Sequence, residues 1–198
     1  MSIIISLNKS NLFGINNELA ISCSEDLKRF SMLTKTCGNV VMGRKTWQSL
    51  PKKPLPDRLN VILTNDMSYN IISKENEKNV IYLHTLDEVF NMFKEPCFIG
   101  GASIINELIS NRKYFMKIKK IYLTEYENNY SPKDGIYLDL CINEDNYELI
   151  SNYSKISEIK INNEKSECNV VYKTYIRKDT ELKDKEKSYI NIEKINLL

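Results

Sequence analysis

The sequence predicts a single-domain α/β protein with a mixed sheet, and three observations support this fold class. Six short β-branched and apolar runs alternate with helical or loop patterns, as expected for strands joined by crossover helices. Two longer strand patterns follow near the end of the chain and predict a terminal antiparallel hairpin. A chain of 198 residues with 42% hydrophobic content is also long and apolar enough for one core.

The predicted strands are rich in Ile, Val, Leu and Tyr and are bounded by polar or turn-forming residues. The first six are short, and the last two form the hairpin around a turn at residues 162–165. In chain order the strands span residues 2–7, 39–42, 59–63, 79–83, 97–99, 121–124, 147–161 and 168–177.

The first predicted helix begins at Glu25, because Ser24 can cap the free amide groups of its first turn and two acidic residues follow. Leu27, Phe30 and Leu33 come next with a spacing of three. This spacing predicts that they form the inward face of the helix.

Two further helices are predicted from local signals. Thr85 and Glu88 form a capping-box pattern, which predicts a helix from there through residue 93. Another helix should follow the glycine pair at residues 100–101. Its inward positions are Ile104, Ile105 and Leu108.

Charge and hydropathy argue against two classes of partner. The formal charge is only +2, with 28 basic and 26 acidic residues spread along the chain, so we expect no nucleic acid partner. No run approaches the roughly 18 apolar residues of a membrane span. The short apolar start lacks the basic region of a signal peptide. We therefore expect a monomer without membrane attachment.

The five cysteines form no CxxC pair and have no histidine nearby. This pattern favours reduced thiols over a disulfide framework or a zinc site. We therefore expect a reducing, cytoplasmic location and no bound metal.

Residues 178–198 differ in character from the chain before them. Charges of alternating sign dominate this segment, and a short apolar run ends it. We interpret it as a weakly ordered appendage to a domain formed by residues 1–177. A docking helix or a partner-binding stretch is the alternative.

Residues 40–47 read as an apolar strand that runs into Gly43, followed by Arg44, Lys45 and Thr46. Glycine allows a ligand to approach the backbone, and amides of the next helical turn can receive phosphate oxygens. The pattern therefore indicates an anion site at a strand end. An ordinary strand-to-helix corner with two solvated cations is the alternative.

The segment at residues 54–58 reads Pro-Leu-Pro-Asp-Arg. Its two prolines favour a rigid, extended backbone, which would position Leu55 and Arg58. Arginine can hold a carboxylate through two parallel hydrogen bonds. Taken alone, Arg58 could equally be a surface arginine without a ligand.

Residues 98–104 repeat the order of strand, glycines and helix start. Gly100 and Gly101 permit backbone geometry that side chains forbid, and the helix N-terminus suits a pyrophosphate. The segment lacks the GxGxxG pattern of a Rossmann fold, and a tight turn explains it equally well.

Asp26 lies in the first turn of the first predicted helix. A favourable interaction with the helix dipole is one interpretation. The other is that Asp26 points into an apolar cleft, where desolvation raises the pKa of a carboxylate and a cationic or amidine-like ligand can donate two hydrogen bonds to it.

Taken in order, these pieces resemble the dihydrofolate reductase family over residues 2–177. The resemblance rests on five segments: Asp26-Leu27-x-x-Phe30, residues 41–47, residues 54–58, residues 99–103 and Leu123-Thr124. It implies eight mainly parallel strands and about four helices, with NADPH on one side of a cleft and a pterin on the other.

The resemblance also implies substrate contacts. Asp26 would hydrogen-bond the pterin's 2-amino group and N3 and help to deliver a proton to N5 through solvent, and Arg58 would hold the α-carboxylate of the glutamate tail. The other positions supply two backbone carbonyls, a supporting hydroxyl and an apolar slot. They are Ile4, Ile99, Thr124, Leu27, Phe30, Leu50 and Leu55.

For NADPH, the resemblance implies that the backbone of Ser6 holds the nicotinamide carboxamide and that the loop at residues 14–19 closes over it. Phosphate contacts would come from residues 44–46 and 101–104, and the family's Gly100-Gly101 peptide is cis. The full set of cofactor positions is Ser6, Gly14, Ile15, Asn17, Leu19, Gly43, Arg44, Lys45, Thr46, Leu63, Thr64, Asn65, His84, Gly100, Gly101, Ala102, Ser103 and Ile104.

The chain departs from the family pattern at three positions. Ile21 replaces a tryptophan that would help to position an ordered water near the pterin, and Ile105 replaces a tyrosine beside the nicotinamide. Asn65 stands where some relatives place an arginine against the 2′-phosphate, so a preference for NADPH rests mainly on Arg44 and Lys45. His84 either touches the ribose phosphate or is a solvated strand-end histidine.

The expected activity is NADPH-dependent reduction of 7,8-dihydrofolate to 5,6,7,8-tetrahydrofolate, with hydride transfer to C6 and protonation of N5. Antifolates such as methotrexate are expected ligands. Two alternatives stay open. One is a catalytically weak homologue with a binding or regulatory role, and the other is a pyrimidine reductase of the riboflavin pathway.

Overall fold

The computed structural model describes residues 1–69 and 78–180. Within them the strands are β1 (Ser2–Asn8), β2 (Leu12–Ile15), β3 (Glu18–Leu19), β4 (Ser22–Cys23), β5 (Asn39–Gly43), β6 (Leu59–Leu63), β7 (Val80–Leu83), β8 (Cys97–Gly100), β9 (Lys120–Tyr126), β10 (Gly135–Tyr137), β11 (Tyr147–Ile161) and β12 (Glu164–Arg177). The helices are α1 (Ser24–Cys37), α2 (Arg44–Ser49), α3 (Leu86–Met92), α4 (Ala102–Ser110) and α5 (Arg112–Phe115).

The predicted mixed α/β sheet with a C-terminal antiparallel hairpin is confirmed. The main sheet has the order β4-β11-β12-β9-β1-β8-β5-β6-β7. The strands from β9 to β7 in this order pair in parallel, and β11 and β12 add the antiparallel hairpin.

The sheet has nine strands instead of the expected eight, because the two-residue strand β4 pairs with the outer strand of the hairpin. A second, three-stranded sheet with the order β10-β2-β3 was not predicted. A four-residue helix, α5, brings the helices of the described chain to five instead of about four.

The terminal hairpin is longer than the sequence predicted. Strand β12 begins at Glu164, four residues before the expected start, and pairs there with Ile161. Asn162 and Asn163 have φ values of 50° and 68°, so two residues in the left-handed region suffice to reverse the chain. The strands therefore continue up to this tight turn.

The predicted start of α1 was wrong in one respect. The helix begins at Ser24 itself, and Cys23 is the N-cap without a side-chain capping bond. The Ser24 hydroxyl instead donates to Glu25 Oε2 at 2.9 Å. The pairing of β4 with β11 holds Cys23 in an extended conformation, so the helix starts as soon as that strand ends.

The inward face of α1 also differs from the prediction. Leu33 is buried, but Leu27 is 50% exposed and Phe30 is only partly covered. The interior positions beside Leu33 are Arg29 and Thr34. Apolar spacing alone therefore identified Leu33 correctly but missed the two buried polar positions of this helix.

The other local predictions for helices are confirmed. Thr85 Oγ1 accepts from the Glu88 amide at 3.2 Å, and the Glu88 carboxylate accepts from the Thr85 amide, which completes the capping box of α3. Three positions of α4 are buried as expected, namely Ile104, Ile105 and Leu108.

The core lies on both faces of the main sheet, because successive side chains of a strand point to opposite faces. On β1, Ile3 and Ile5 pack with α4 in one apolar cluster, while Ile4 packs with Leu33 and Trp47 in another. Across residues 1–69 and 78–180, no helix combines the length and apolar character needed to cross a membrane. The predicted appendage lies outside the described residues from 181 onward and stays a prediction.

Candidate functional site

A carboxylate on α1 meets two hydroxyl groups of β9 at the centre of the candidate site. Thr124 donates to Asp26 Oδ1 at 2.6 Å, and Tyr126 donates to Asp26 Oδ2 at 3.2 Å. Thr124 and Tyr126 are two residues apart, so they lie on the same face of the strand. Each carboxylate oxygen therefore receives one hydrogen bond from this strand.

Arg29 follows Asp26 by three positions on α1, and its guanidinium lies inside the protein with a side-chain exposure of 3%. Its Nη1 donates to Thr124 Oγ1 at 3.2 Å, and its Nη2 donates to Thr174 Oγ1 and the Lys173 carbonyl, both at 3.3 Å. Its guanidinium also contacts the faces of two aromatic rings, those of Tyr122 and Tyr172.

These contacts fix the direction of the hydrogen bonds. Arg29 can only donate, so the Thr124 oxygen accepts from it and uses its single proton to donate to Asp26. A chain of three groups therefore orients the carboxylate and places a positive charge behind it.

Burial raises the pKa of Asp26 above the usual range of an aspartate, because the charged form loses solvation. The hydrogen bond from Thr124, the charge of Arg29 and the hydrogen bond from Tyr126 all favour the charged form and offset part of this rise. The group is thus suited to hold a proton at a higher pH than an exposed aspartate does.

Most of the apolar side chains expected to line a substrate slot pack on one cluster. Phe30, Leu50 and Leu55 pack on the same apolar cluster as Ile4 and Ile99, and each keeps part of its surface exposed. Leu27 lies one turn before Phe30 and is half exposed. Leu27 does not face inward as predicted. Its exposed surface nevertheless allows it to line a substrate slot.

Arg58 is anchored by its own segment of the chain. It is 5% exposed, its Nε donates to the Pro56 carbonyl at 2.8 Å, and its Nη1 donates to Thr34 Oγ1. Burial lowers the pKa of Arg58, and the nearby charge of Asp57 opposes this. Within the described residues, its other three N–H groups form no hydrogen bond, so they can face a ligand.

The two glycine segments singled out in the sequence lie side by side, because β5 and β8 are neighbouring parallel strands. A Cβ on Gly43 would lie 3.3 Å from Ile104 Cδ1, and a Cβ on Gly101 would lie 3.0 Å from Thr46 Oγ1. Side chains at these two positions would therefore crowd the facing segment. The Gly100-Gly101 peptide is cis, as the family resemblance implied.

The start of α4 can receive an anion. Gly101 is its N-cap and has no side-chain capping bond, the following Ala102 is partly buried, and Ser103 is exposed. The first amide groups of a helix need partners from outside the helix, and they attract negative charge. This site lies next to the Arg44–Thr46 turn.

A third group of predicted positions lies at the adjacent ends of β6 and β7. The His84 ring is tied to this edge by Nδ1, 2.9 Å from the Thr64 carbonyl. Since a carbonyl only accepts, we assign the proton to Nδ1. The remaining positions of this group are Leu63, which is partly buried, and Asn65, which is exposed.

Sequence reasoning missed Asp66 at this edge. Arg44 Nη1 lies 3.9 Å from Asp66 Oδ2, and both side chains are more than two-fifths exposed. The Ser68 hydroxyl and amide also donate to this carboxylate and lower its pKa. A phosphate that binds Arg44 would have to compete with Asp66.

The segment at residues 14–19, predicted to close over the nicotinamide, contains a tight hairpin of β2 and β3. Gly14 and Ile15 pair with Leu19 and Glu18, and a Cβ on Gly14 would lie 2.8 Å from the Glu18 carbonyl oxygen. Asn17 follows Asn16 in the turn, and both have positive φ. Strand β10 covers the other edge of β2.

Ser6 belongs to β1 and pairs with Thr124 of β9, so its backbone lies near Asp26. Ile21 is 4% exposed and packs with Tyr126 and Tyr172. Ile105 is completely buried in the core and presents no surface to a cleft.

Arg29 and Tyr126 are the residues around Asp26 that the sequence interpretation missed. The spacing of each residue in the sequence could have identified it. Arg29 is three residues from Asp26 on a helix, and Tyr126 is two residues from Thr124 on a strand, which places each pair on a common face.

Comparisons with known proteins agree with this geometry. The family model described as dihydrofolate reductase matches residues 1–177. The Staphylococcus aureus dihydrofolate reductase is 30% identical over 130 residues, covering 66% of this chain and 73% of that protein. The Plasmodium chabaudi bifunctional dihydrofolate reductase-thymidylate synthase is 36% identical over 140 residues, covering 67% of this chain and 22% of that protein.

The fold is also similar to a solved structure of Enterococcus faecalis dihydrofolate reductase, complexed with NADP(H) and RAB-propyl. The TM-score is 0.67 at 21% sequence identity, over 90% of this chain and 96% of that one. Together the family and sequence matches define the class of protein as an oxidoreductase. The chain belongs to the dihydrofolate reductase family.

The raised pKa of Asp26 leads to a prediction for stability. The folded chain binds this proton more tightly than the unfolded chain, so the stabilisation is complete below the usual pKa of aspartate and is lost as pH rises through the raised pKa. We expect Asp26→Asn to increase the free energy of unfolding at neutral pH and to lose this advantage in acid. Urea unfolding at several pH values measures the effect.

Asp87→Asn is the matched control for this prediction. A hydrogen bond from Lys113 lowers the pKa of the exposed Asp87, so its contribution is present above the usual pKa and is lost in acid. The two variants should therefore deviate from the parent chain in opposite directions. Loss of stability in Asp26→Asn at neutral pH would contradict the assignment of burial as the dominant effect.

Proposed function

We propose that this chain reduces 7,8-dihydrofolate to 5,6,7,8-tetrahydrofolate with NADPH, by hydride transfer to C6 and protonation of N5. The observation that carries the proposal is the Asp26 carboxylate, which is fixed by two hydroxyl groups of β9 and lies on a helix whose Phe30 packs on the apolar cluster of Ile4 and Ile99. Family membership supports the same reaction.

Asp26 has the acceptor capacity that a pterin requires. A carboxylate can accept about four hydrogen bonds, and Thr124 and Tyr126 use one on each oxygen. The remaining capacity suits the 2-amino group and N3–H of the pterin, which donate side by side. The raised pKa lets this group take up a proton and help to deliver it to N5 through solvent.

The other expected substrate contacts come from strands β1 and β8 and from the segments around them. Strands β1 and β8 pair in parallel just before Ile4 and Ile99, so the carbonyl groups of these two residues can serve the opposite edge of the pterin. The slot of Leu27, Phe30, Leu50 and Leu55 would hold the apolar middle of the substrate. The anchored guanidinium of Arg58 would bind the tail carboxylate.

The residues present also fit NADPH, which supplies the hydride when it is bound. Gly43 and Gly101 let the two turns pack closely against each other, and the α4 start offers uncapped amides to a pyrophosphate. Arg44 and Lys45 are exposed in the neighbouring turn and would bind further phosphate oxygens. The backbone of Ser6 would orient the nicotinamide near Asp26.

An absorbance assay of the purified full chain with NADPH and dihydrofolate tests the proposal. We expect dihydrofolate-dependent loss of NADPH absorbance that methotrexate inhibits. Binding of methotrexate and NADPH without turnover would favour the silent homologue instead. Turnover of a riboflavin-pathway pyrimidine in place of dihydrofolate would favour the other alternative.

Asp26→Asn should lower turnover at neutral pH by about a hundredfold or more, because the amide cannot supply a proton. Part of the activity should return in acid, where dihydrofolate arrives already protonated. The pH dependence of kcat measures this, with Asp87→Asn as a control for the same substitution on the surface. Full activity of Asp26→Asn at neutral pH would rule out Asp26 as the proton-handling group.

Arg58→Lys should weaken dihydrofolate binding about tenfold, because lysine cannot hold a carboxylate through two parallel hydrogen bonds. Equilibrium titrations should give an unchanged affinity for NADPH. A dihydropterin without the glutamate tail should bind parent and variant equally. Weaker binding of that short ligand would mean that Arg58 shapes the slot and does not contact the tail.

Arg44→Ala should weaken NADPH binding about tenfold and leave NADH binding nearly unchanged, because only NADPH carries the 2′-phosphate. Asp66→Asn removes a carboxylate that competes for the same arginine and should have the opposite effect. Fluorescence titration with both cofactors measures the preference. Equal losses of affinity for NADPH and NADH would show that Arg44 does not bind the 2′-phosphate.

A further inference from the structure

The Tyr126 hydroxyl is a polar group of the site that the family resemblance left without a role. Tyr126 is 1% exposed at the end of β9 and donates to Asp26 Oδ2 at 3.2 Å. Burial raises the pKa of Tyr126, so it stays a protonated donor across the working pH range. The contact is therefore a lasting hydrogen bond to the carboxylate.

This hydrogen bond completes the fixation of the carboxylate plane. The terminal torsion of an aspartate has a broad energy minimum, so a single anchor on one oxygen leaves the plane free to rotate. Thr124 holds Oδ1 and Tyr126 holds Oδ2. With both oxygens held from one strand, rotation of the carboxylate plane is restricted.

We propose that Tyr126 is a positioning residue of the reaction, whose hydroxyl holds the second oxygen of Asp26 while Thr124 holds the first. The catalytic consequence rests on the proposed function. The effect of Tyr126 on Asp26 does not, because it can be measured in the free protein.

The groups around Asp26 give the sign of this effect. Arg29 faces it from α1, Cys23 from β4, and Tyr126 and Tyr172 from β9 and β12. Glu25 is itself bonded to the Ser24 hydroxyl and the Cys23 thiol. Removing the Tyr126 hydroxyl deletes a donor that favours the charged form, so the pKa of Asp26 should rise.

Tyr172 provides a matched control on the neighbouring strand. It is also a buried tyrosine of the same apolar cluster, and within the described residues its hydroxyl forms no hydrogen bond to Asp26. Tyr172→Phe therefore removes the same atom at nearly the same depth without removing a bond to Asp26.

The decisive experiment is an NMR titration of the Asp26 carboxyl carbon in the full-length chain without ligands. Tyr126→Phe should raise the pKa of Asp26 by about one pH unit, the equivalent of one hydrogen bond to a charged group. Tyr172→Phe should leave it unchanged. An unchanged titration in Tyr126→Phe, or equal shifts in both variants, would overturn the proposal.

Kinetics provide the second readout. In Tyr126→Phe the pH at which kcat/KM for dihydrofolate falls to half its maximum should move upward by the same amount, and KM for dihydrofolate should rise severalfold while KM for NADPH stays constant. Equal changes in both KM values would indicate a general structural defect and count against the proposal. Absence of reductase activity in the parent chain would refute the proposed function, whereas the NMR titration would still decide the role of Tyr126.

Discussion

The buried guanidinium of Arg29 is the interaction on which the site depends. It joins α1 to β9 and β12 through Thr124, Thr174 and the Lys173 carbonyl. Because it forces the Thr124 hydroxyl to donate toward Asp26, it also determines how the carboxylate is held. Removing one member of such a buried polar network leaves its partners desolvated and unpaired, so helix position and site chemistry are tied together.

Packing between two segments also shapes the part of the protein where the cofactor is expected. Neighbouring parallel strands β5 and β8 bring Gly43 and Gly101 together, and each glycine avoids a clash with a residue of the other segment. The close approach of the two turns therefore depends on both glycines. Charges are arranged less favourably, since Asp66 lies beside Arg44 and reduces the positive potential offered to a phosphate.

Much of the fold and of the candidate site could be predicted because the signals are local. The capping box at Thr85, the buried face of α4 and the short strands depend on residues a few positions apart. The start of α1 was predicted wrongly, because Ser24 has a capping side chain but the extended Cys23 takes the capping position when β4 pairs with β11. The small sheet of β10, β2 and β3 was not predicted either, because its pairing joins segments far apart in the chain.

The sequence by itself determined the α/β class, the terminal hairpin, the glycine turns and the presence of an acid at position 26. Only the tertiary structure decided that Arg29 lies inside while Leu27 lies outside, and that Tyr126 donates to Asp26. Thr124 and Tyr126 are 98 and 100 residues from Asp26 along the chain. Contacts at such separations depend on strand order and register, which side-chain spacing within one segment does not encode.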